Sequence, residues 1–261
     1  MTVKALQVVN LQAKYPRGQV LHGVSLYAMA GEVIALLGRN GSGRRTMLRA
    51  ISGHSSDICS GSVRIIGREA LHDPSPDISQ LGVSTPLSGS IVDTDLTCEE
   101  NLLMPTGHHA SLGGGLSLAR IYALCPTLHD LRLRPASELN QGEERLVALG
   151  RLLRSGANVL LLNAFTPGAE THIVAAFISL IRALSDLDYT IIVSDPDLAV
   201  SQRIAHRFYV LDAGHLVDRF DDTELPSRRQ WLNRLLMHDG LPANGAGYSP
   251  NTPVQVDTVS F

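Results

Sequence analysis

Residues 38–46 form a glycine-rich segment of the kind that binds phosphate groups. The segment reads Gly-Arg-Asn-Gly-Ser-Gly-Arg-Arg-Thr. The pattern GxxxxGK[ST] requires Lys and then Ser or Thr after its last glycine. This chain has Arg44 and Arg45 at those two positions. The segment therefore keeps the glycines of a nucleotide site and lacks two of its chemical groups.

Short apolar elements flank this loop and position it. Residues 32–37 (EVIALL) have the length of a buried strand, and residues 46–51 (TMLRAI) begin a helical pattern. In a strand, turn and helix of this kind, backbone N–H groups converge on an anion at the positive end of the helix. The glycines allow the sharp turn and the close approach of that anion. The candidate binding residues are Gly38, Asn40, Gly41, Ser42, Gly43, Arg44, Arg45 and Thr46.

The composition is that of a globular protein without a strong charge bias. The chain has 261 residues, of which 44% are hydrophobic and 18% are charged, enough for one substantial core. A net charge of −3 gives no broad attraction to nucleic acid or anionic lipid. The three cysteines are scattered, which favours a reducing compartment and argues against a metal cluster. Without a signal peptide or a spanning apolar stretch, the sequence predicts a cytoplasmic protein.

The order of apolar runs predicts an α/β fold. Helical patterns at residues 143–153 and 171–184 alternate with the later runs, which is typical of a mostly parallel sheet. The first strands are separated by turns and predict a small antiparallel β layer, and residues 209–218 predict a hairpin. Residues 241–261 are polar and rich in Gly and Pro, which predicts a disordered tail. The short apolar runs are residues 6–11, 63–66, 159–162, 190–193 and 208–211.

Taken in order, the segments of residues 3–238 resemble the ATP-binding subunits of ABC transporters, most closely those of branched-chain amino acid and urea importers. The resemblance implies a P-loop NTPase fold over residues 1–240, with a parallel core sheet, an N-terminal antiparallel β layer and a helical subdomain at about 90–152. The segments that carry it are YPRGQVLHGVSL (15–26), LLGRNGSGRRTMLRAISG (36–53), DLTCEENLL (95–103), LNQGEERLVALGRLL (139–153), NVLLLNAFTPGAE (158–170) and TIIVSDPDLAVSQRIAHRFYVLDAGHLVD (190–218).

The resemblance also implies roles for individual residues around a bound ATP. Tyr15 matches the aromatic residue that stacks on adenine. In the family the loop Lys neutralises the β- and γ-phosphates, and the next Ser or Thr holds Mg²⁺. Arg44 keeps a cation, although its planar fork does not replace a compact ammonium freely. Arg45 provides no oxygen for the metal, whereas the Thr46 hydroxyl can still meet an α-phosphate.

The catalytic positions of the family are also altered in this chain. Its members end the strand after the signature helix in Asp-Glu, which here is Asn163 and Ala164. The neutral Asn163 removes the second magnesium ligand, and Ala164 cannot accept a proton. The switch position corresponds to Asp195, whose carboxylate is expected to face and repel the γ-phosphate. Residues 85–88 read Thr-Pro-Leu-Ser, without the expected glutamine.

The signature segment of the family has an altered counterpart here. Such subunits pair head to tail through the nucleotide-binding face, so that each ATP lies between one phosphate loop and the partner's signature. The expected Ser-Gly-Gly is Asn140, Gln141 and Gly142. The Asn140 amide can donate to a phosphate and Gly142 permits close approach, whereas the Gln141 side chain obstructs it. The resemblance therefore implies weakened support for a partner's ATP.

Four functions are compatible with these residues. The first is a non-catalytic subunit that scaffolds or regulates an importer, bound to a second ATP-binding subunit and to permease subunits at the cytoplasmic face of the membrane. The second is a magnesium-independent nucleotide- or anion-binding module. The third is a working transport ATPase with atypical residues, and the fourth is a decaying gene product. ATP is the implied ligand, and Mg²⁺ lacks its usual ligands.

Overall fold

The computed structural model describes residues 3–54, 58–84, 92–104 and 114–237. The N-terminal part of the chain forms an antiparallel sheet. Its strands are β1 (Lys4–Tyr15), β2 (Gly18–Met29), β4 (Cys59–Ile65) and β5 (Arg68–Glu69). Its strand order is β2-β1-β4-β5. The predicted antiparallel layer is therefore confirmed. The predicted tail and residues 85–88 lie outside the described residues.

A second sheet forms the core and carries the phosphate loop. Its strands are β3 (Val33–Leu37), β6 (Val159–Asn163), β7 (Thr190–Ser194), β8 (Arg207–Asp212) and β9 (His215–Asp221), in the order β6-β7-β3-β8-β9. The first four strands are parallel, and β9 returns antiparallel to β8 as the predicted hairpin. All residues of β3 and β7 are buried. This burial explains their uninterrupted apolar sequences, because both faces of a parallel sheet are covered.

Nine α-helices of six to fifteen residues surround the sheets in the described part of the chain. The four that lie between residues 98 and 154 pack mainly on one another. They fall largely within the segment predicted as a helical subdomain, whose boundaries stay a prediction. The helices are α1 (Arg44–Ile51), α2 (Ser75–Gln80), α3 (Cys98–Leu103), α4 (Leu118–Leu124), α5 (Pro126–Leu131), α6 (Gln141–Arg154), α7 (Thr171–Ser185), α8 (Leu198–Ile204) and α9 (Leu225–Met237).

The core sheet separates two apolar clusters, because successive side chains of a strand point to opposite faces. Val33, Ala35 and Leu37 of β3 belong to the cluster that contains buried residues of α6 and α7. Ile34 and Leu36 belong to the cluster that contains α1 and the antiparallel sheet. Side chains therefore pack against both faces of β3. This packing fixes the position at which the phosphate loop begins.

A buried tyrosine joins the two sheets. The Tyr209 hydroxyl on β8 donates to the Tyr27 carbonyl oxygen at 2.9 Å and accepts from the Tyr27 N–H at 3.2 Å. Tyr27 lies on β2, an outer strand of the antiparallel sheet, and no further strand among the described residues pairs with the outer edge of β2. Tyr209 itself is completely buried. One side chain therefore satisfies two backbone groups and fixes the sheets relative to each other.

Replacing this tyrosine by phenylalanine is expected to destabilise the protein. In Tyr209→Phe the Tyr27 N–H and carbonyl lose their partner, which costs about 1–3 kcal/mol of unfolding free energy. Urea denaturation followed by circular dichroism measures the change. Tyr189→Phe is the matched control, because no hydrogen bond of the half-buried Tyr189 hydroxyl is found among the described residues. Equal losses in both variants would contradict this role of Tyr209.

Candidate functional site

The phosphate loop connects the end of β3 to the start of α1, and two glycines in it have no room for a side chain. At Gly38 a Cβ atom would lie 2.3 Å from the Leu211 carbonyl oxygen. Gly43 caps α1 with φ of 101° and no side-chain cap, and a Cβ there would lie 2.6 Å from Leu21 Cδ2. The N–H groups of the first turn of α1 are consequently open toward a ligand.

A cleft of about 410 Å³ lies in front of this loop. Two of the residues predicted to bind the nucleotide, Tyr15 and Gly38, are not among those that line it. Tyr15 is the half-buried last residue of β1, opposite Gly18 in the β1–β2 hairpin. The structure brings the other predicted loop residues together with the end of β6. The lining residues are Val20, Arg39, Asn40, Gly41, Ser42, Gly43, Arg44, Arg45, Thr46, Asn163, Ala164, Ser194 and Pro196.

Arg44 crosses the cleft from α1 to the end of β7. Its Nη1 donates to Ser194 Oγ at 3.3 Å. Burial lowers the pKa of the Arg44 guanidinium, and the nearby Asp195 carboxylate opposes that shift. An arginine remains charged under such shifts because its ordinary pKa is so high. A fixed positive charge therefore lies beside the ends of β6 and β7.

The Asp195 carboxylate does not face the cleft, and the expectation that it does is wrong. Both of its oxygens accept hydrogen bonds, from the Thr166 N–H at 3.0 Å, the Asp197 N–H at 2.9 Å and the Thr166 hydroxyl. Its side chain is buried, with only 2% of the residue exposed. Ser194 and Pro196 line the cleft on either side of it. Because side chains alternate at the end of β7, Asp195 points instead to the segment that follows β6.

The end of β6 provides a neutral wall. Asn163 pairs with Ser194 in the parallel register, and the Ala164 N–H donates to the Ser194 carbonyl oxygen at 2.8 Å. Ala164 has φ of 49°, a left-handed conformation that sets the turn after the strand. Both residues line the cleft. Neither provides a carboxylate where the family has two.

The donor set of the cleft does not fit magnesium. Mg²⁺ prefers carboxylate oxygens in octahedral geometry. Among the described residues that line the cleft, the oxygen-bearing side chains are the neutral ones of Asn40, Ser42, Thr46, Asn163 and Ser194. No group of three His, Cys, Asp or Glu residues suited to a metal occurs in the described ranges. The open N–H groups of α1 and the neighbouring arginines, by contrast, fit the phosphates of a nucleotide.

Arg39 was not predicted as a site residue from the sequence. It lines the cleft, and its Nη2 contacts Asp212 Oδ1 at 3.1 Å, at the start of the β8–β9 hairpin. The sequence feature that could have identified it is a third arginine in the loop, two residues before the second glycine. With Arg44 and Arg45, it brings the number of guanidinium groups at the cleft to three.

The signature-like segment forms the start of α6. Asn140 is the N-cap, and its side-chain oxygen accepts from the N–H groups of Gly142 and Glu143 at 3.0 Å. The Glu143 carboxylate is buried and accepts two hydrogen bonds from the Arg134 guanidinium, at 2.7 and 2.8 Å. The Glu143 carboxylate also accepts from the Asn140 N–H at 2.9 Å. This capping box explains why α6 begins two residues before the predicted helical pattern.

Gly142 is required by packing inside this chain. A Cβ at this position would lie 2.6 Å from the Ala169 Cβ. Ala169 belongs to the loop after β6, whose carbonyl oxygens at Phe165 and Pro167 accept hydrogen bonds from Arg145 of α6. The signature-like segment and this loop are therefore in direct contact. The Asn140 Nδ2 atom donates to Glu170 at 3.4 Å, and Gln141 is exposed.

No helix in the described ranges has the length and apolar character needed to cross a membrane.

Comparisons with known proteins agree with this fold. A family model described as ABC transporter matches residues 21–166, more than half of the chain. The high-affinity branched-chain amino acid transport ATP-binding protein BraG of Pseudomonas aeruginosa is 30% identical over 203 residues, covering 78% of this chain and 87% of that protein. The arginine transport ATP-binding protein ArtP of Escherichia coli K12 is 26% identical over 227 residues, covering 83% and 92%.

Solved structures show the same fold. The ADP conformation of MJ1267, an ATP-binding cassette of an ABC transporter, has a TM-score of 0.77 at 19% identity and covers 91% of this chain and 100% of that chain. A nucleotide-free ATP-binding cassette from an ABC transporter has a TM-score of 0.76 at 18% identity. The predicted P-loop NTPase fold is thereby confirmed. This chain belongs to the ABC transporter family, as an ATP-binding protein of that family.

Proposed function

We propose that this chain is the ATP-binding-type subunit of an ABC importer for branched-chain amino acids, urea or a related amide, and that its own phosphate loop does not hydrolyse ATP. It acts as a scaffold or regulatory partner. A second ATP-binding subunit supplies hydrolysis, and the two pair through the nucleotide-binding face. Permease subunits hold them at the cytoplasmic face of the membrane. The names of BraG and ArtP support the amino-acid class of substrate.

One observation carries the proposal of deficient hydrolysis. The described residues that line the cleft include three arginines and not one carboxylate. Hydrolysis by this family needs a group that positions or deprotonates the attacking water. Asn163 and Ala164 occupy the end of β6, and the nearest acid after β7, Asp195, is turned toward Thr166. With the described residues that line it, the cleft can hold phosphate and offers no base to activate water.

The magnitudes support the same conclusion. Loss of a general base lowers the rate by about 10²–10⁴-fold, and loss of one preorganised electrostatic group by about 10²–10³-fold. The effects are not additive within one catalytic unit. Here the base, the metal ligands and the loop lysine are replaced together. The remaining N–H groups accelerate hydrolysis only to the extent that they bind the transition state more tightly than the ground state.

The start of α6 supports a limited role at a partner's nucleotide. Its N–H groups at Gly142 and Glu143 are already capped by Asn140, and the Glu170 carboxylate lies at the Asn140 amide. A partner's phosphate therefore meets one amide donor beside an acidic side chain. This arrangement gives weaker support than an unobstructed helix start would give.

The first test is steady-state ATP hydrolysis with Mg²⁺. The purified chain is expected to show the same background rate as Gly43→Asp, which places a carboxylate at the helix start where Leu21 leaves no room. Circular dichroism spectra and melting temperatures check that both proteins are folded, because the comparison requires a folded variant. Hydrolysis by the chain that disappears in Gly43→Asp would contradict the proposal.

The scaffold role is tested in the assembled transporter, with both ATP-binding subunits and the permease present. Asn140→Asp keeps a capping oxygen for Gly142 but replaces the amide donor by a second carboxylate beside Glu170. We expect the hydrolysis rate of the complex to fall by about tenfold, because one phosphate contact is replaced by repulsion.

Asn233→Asp is the matched control for this variant, because Asn233 is exposed on α9. It makes the same change of charge and is expected to leave the rate unchanged. An unchanged rate in Asn140→Asp would show that the start of α6 does not contact the partner's nucleotide.

A further inference from the structure

We infer that the cleft binds the di- or triphosphate group of its ligand without a divalent cation, and that the guanidinium groups of Arg39, Arg44 and Arg45 take the place of the metal. This inference rests on the proposed function, because it takes the cleft as a nucleotide site that does not hydrolyse. It adds the chemical form of the ligand and the residues that select it.

The first argument is the balance of charge at the cleft. The three guanidinium groups lie around one cavity of about 410 Å³. Two carboxylates outside the lining offset part of this charge: Asp212 forms an ion pair with Arg39, and Asp195, hydrogen-bonded to Thr166, attracts Arg44. Three guanidinium groups against two carboxylates leave a net positive charge at the cleft. A divalent cation entering this cleft meets a net positive charge and, on the described residues that line it, only neutral side-chain oxygens. A phosphate group without metal, which keeps its full negative charge, meets the complementary field.

The second argument is the position of Arg44. Its guanidinium is held at Ser194, the register partner of Asn163, by a long hydrogen bond to a neutral hydroxyl. In the family, residues at the ends of β6 and β7 hold the metal and position the attacking water. In this chain the Arg44 guanidinium extends to the same position. A planar fork with several N–H donors binds phosphate oxygens in pairs, and it exchanges a weak bond to Ser194 for stronger charged ones.

The third argument is an unsatisfied group at the base of the loop. Ser42 is 3% exposed, lines the cleft, and its Oγ atom has no hydrogen-bond partner among the described residues. A buried hydroxyl without a partner is unfavourable, and a bound oxygen relieves it. Together with the uncapped start of α1, this hydroxyl points to an anion as the missing partner.

Calorimetric titration of the full chain with ATP, in EDTA and again in excess Mg²⁺, tests the inference. We expect binding in EDTA to be as tight as in Mg²⁺ or tighter. Binding at least about tenfold tighter in Mg²⁺ would overturn it, since a metal is then part of the ligand. Absence of binding under both conditions would overturn it as well. Neither result affects the proposed lack of hydrolysis, which is read from phosphate release.

Two arginines of the same helix provide a matched pair of variants. Arg45 lines the cleft, whereas Arg49 is exposed one turn further along α1 and does not. In EDTA, Arg45→Ala is expected to weaken ATP binding by about 10- to 100-fold, and Arg49→Ala to leave it unchanged. Equal effects of the two variants would show that only the net charge of the protein matters for ATP binding. That result would overturn the inference that arginines at the cleft replace the metal.

A converse variant restores oxygen ligands to the cleft. Arg45→Ser combined with Asn163→Asp removes one cation and adds one hydroxyl and one carboxylate beside Arg44. This double variant is expected to bind ATP at least about tenfold more tightly in Mg²⁺ than in EDTA. Metal dependence that is the same as that of the original chain would count against arginine substitution for the metal.

Competition titrations with inorganic tripolyphosphate, ADP and AMP identify the source of the phosphate group. A tripolyphosphate affinity equal to that of ATP supports recognition of the phosphate chain alone. Tighter binding of ATP, reduced in Tyr15→Ala, supports a nucleotide whose base contacts the β1 end. AMP that binds as tightly as ATP would contradict the inference, because the di- or triphosphate is then not what the arginines hold.

Discussion

The position of the Arg44 guanidinium, between the start of α1 and the Ser194 hydroxyl, determines the character of the whole cleft. A positive charge fixed at this point favours phosphate and disfavours a second cation. The surroundings are consistent with it: Asn163 and Ala164 are neutral, and Asp195 satisfies its oxygens on Thr166 and Asp197. The described residues of the cleft are therefore suited to an anion, in keeping with the proposal that this phosphate loop does not hydrolyse ATP.

This arrangement depends on a scaffold that places the ends of three strands side by side. Strands β3, β6 and β7 are buried on both faces, and their parallel register brings the phosphate loop, Asn163 and Ser194 to one edge. Tyr209 holds the antiparallel sheet against the core. The loop after β6 contacts both Asp195 and the start of α6, so that the phosphate site and the signature-like segment share one structural element.

Much of the fold followed from the sequence, because buried strands have uninterrupted apolar runs and a phosphate loop needs glycine at fixed points. The loop residues were predicted from the glycine pattern, and Asn163 and Ala164 were predicted from the resemblance to the ABC family. The direction of the Asp195 side chain was not predictable, since it depends on the side of β7 to which the chain turns and on the hydroxyl of Thr166.

Arg39 and Pro196 were not predicted as cleft residues, because no periodic pattern distinguishes a residue at the rim of a cleft from an ordinary loop residue. Gly142 was predicted to permit the close approach of a partner's nucleotide, which stays a prediction, and the structure adds a packing role against Ala169.

A single-turnover experiment tests the central claim most directly. The protein, in excess over ATP labelled at the γ-phosphate and with Mg²⁺ present, is mixed with the nucleotide, and bound ATP and released phosphate are followed over hours. The account predicts that ATP is bound and remains intact. Release of labelled phosphate by the chain alone, at a rate that Gly43→Asp abolishes, would contradict it.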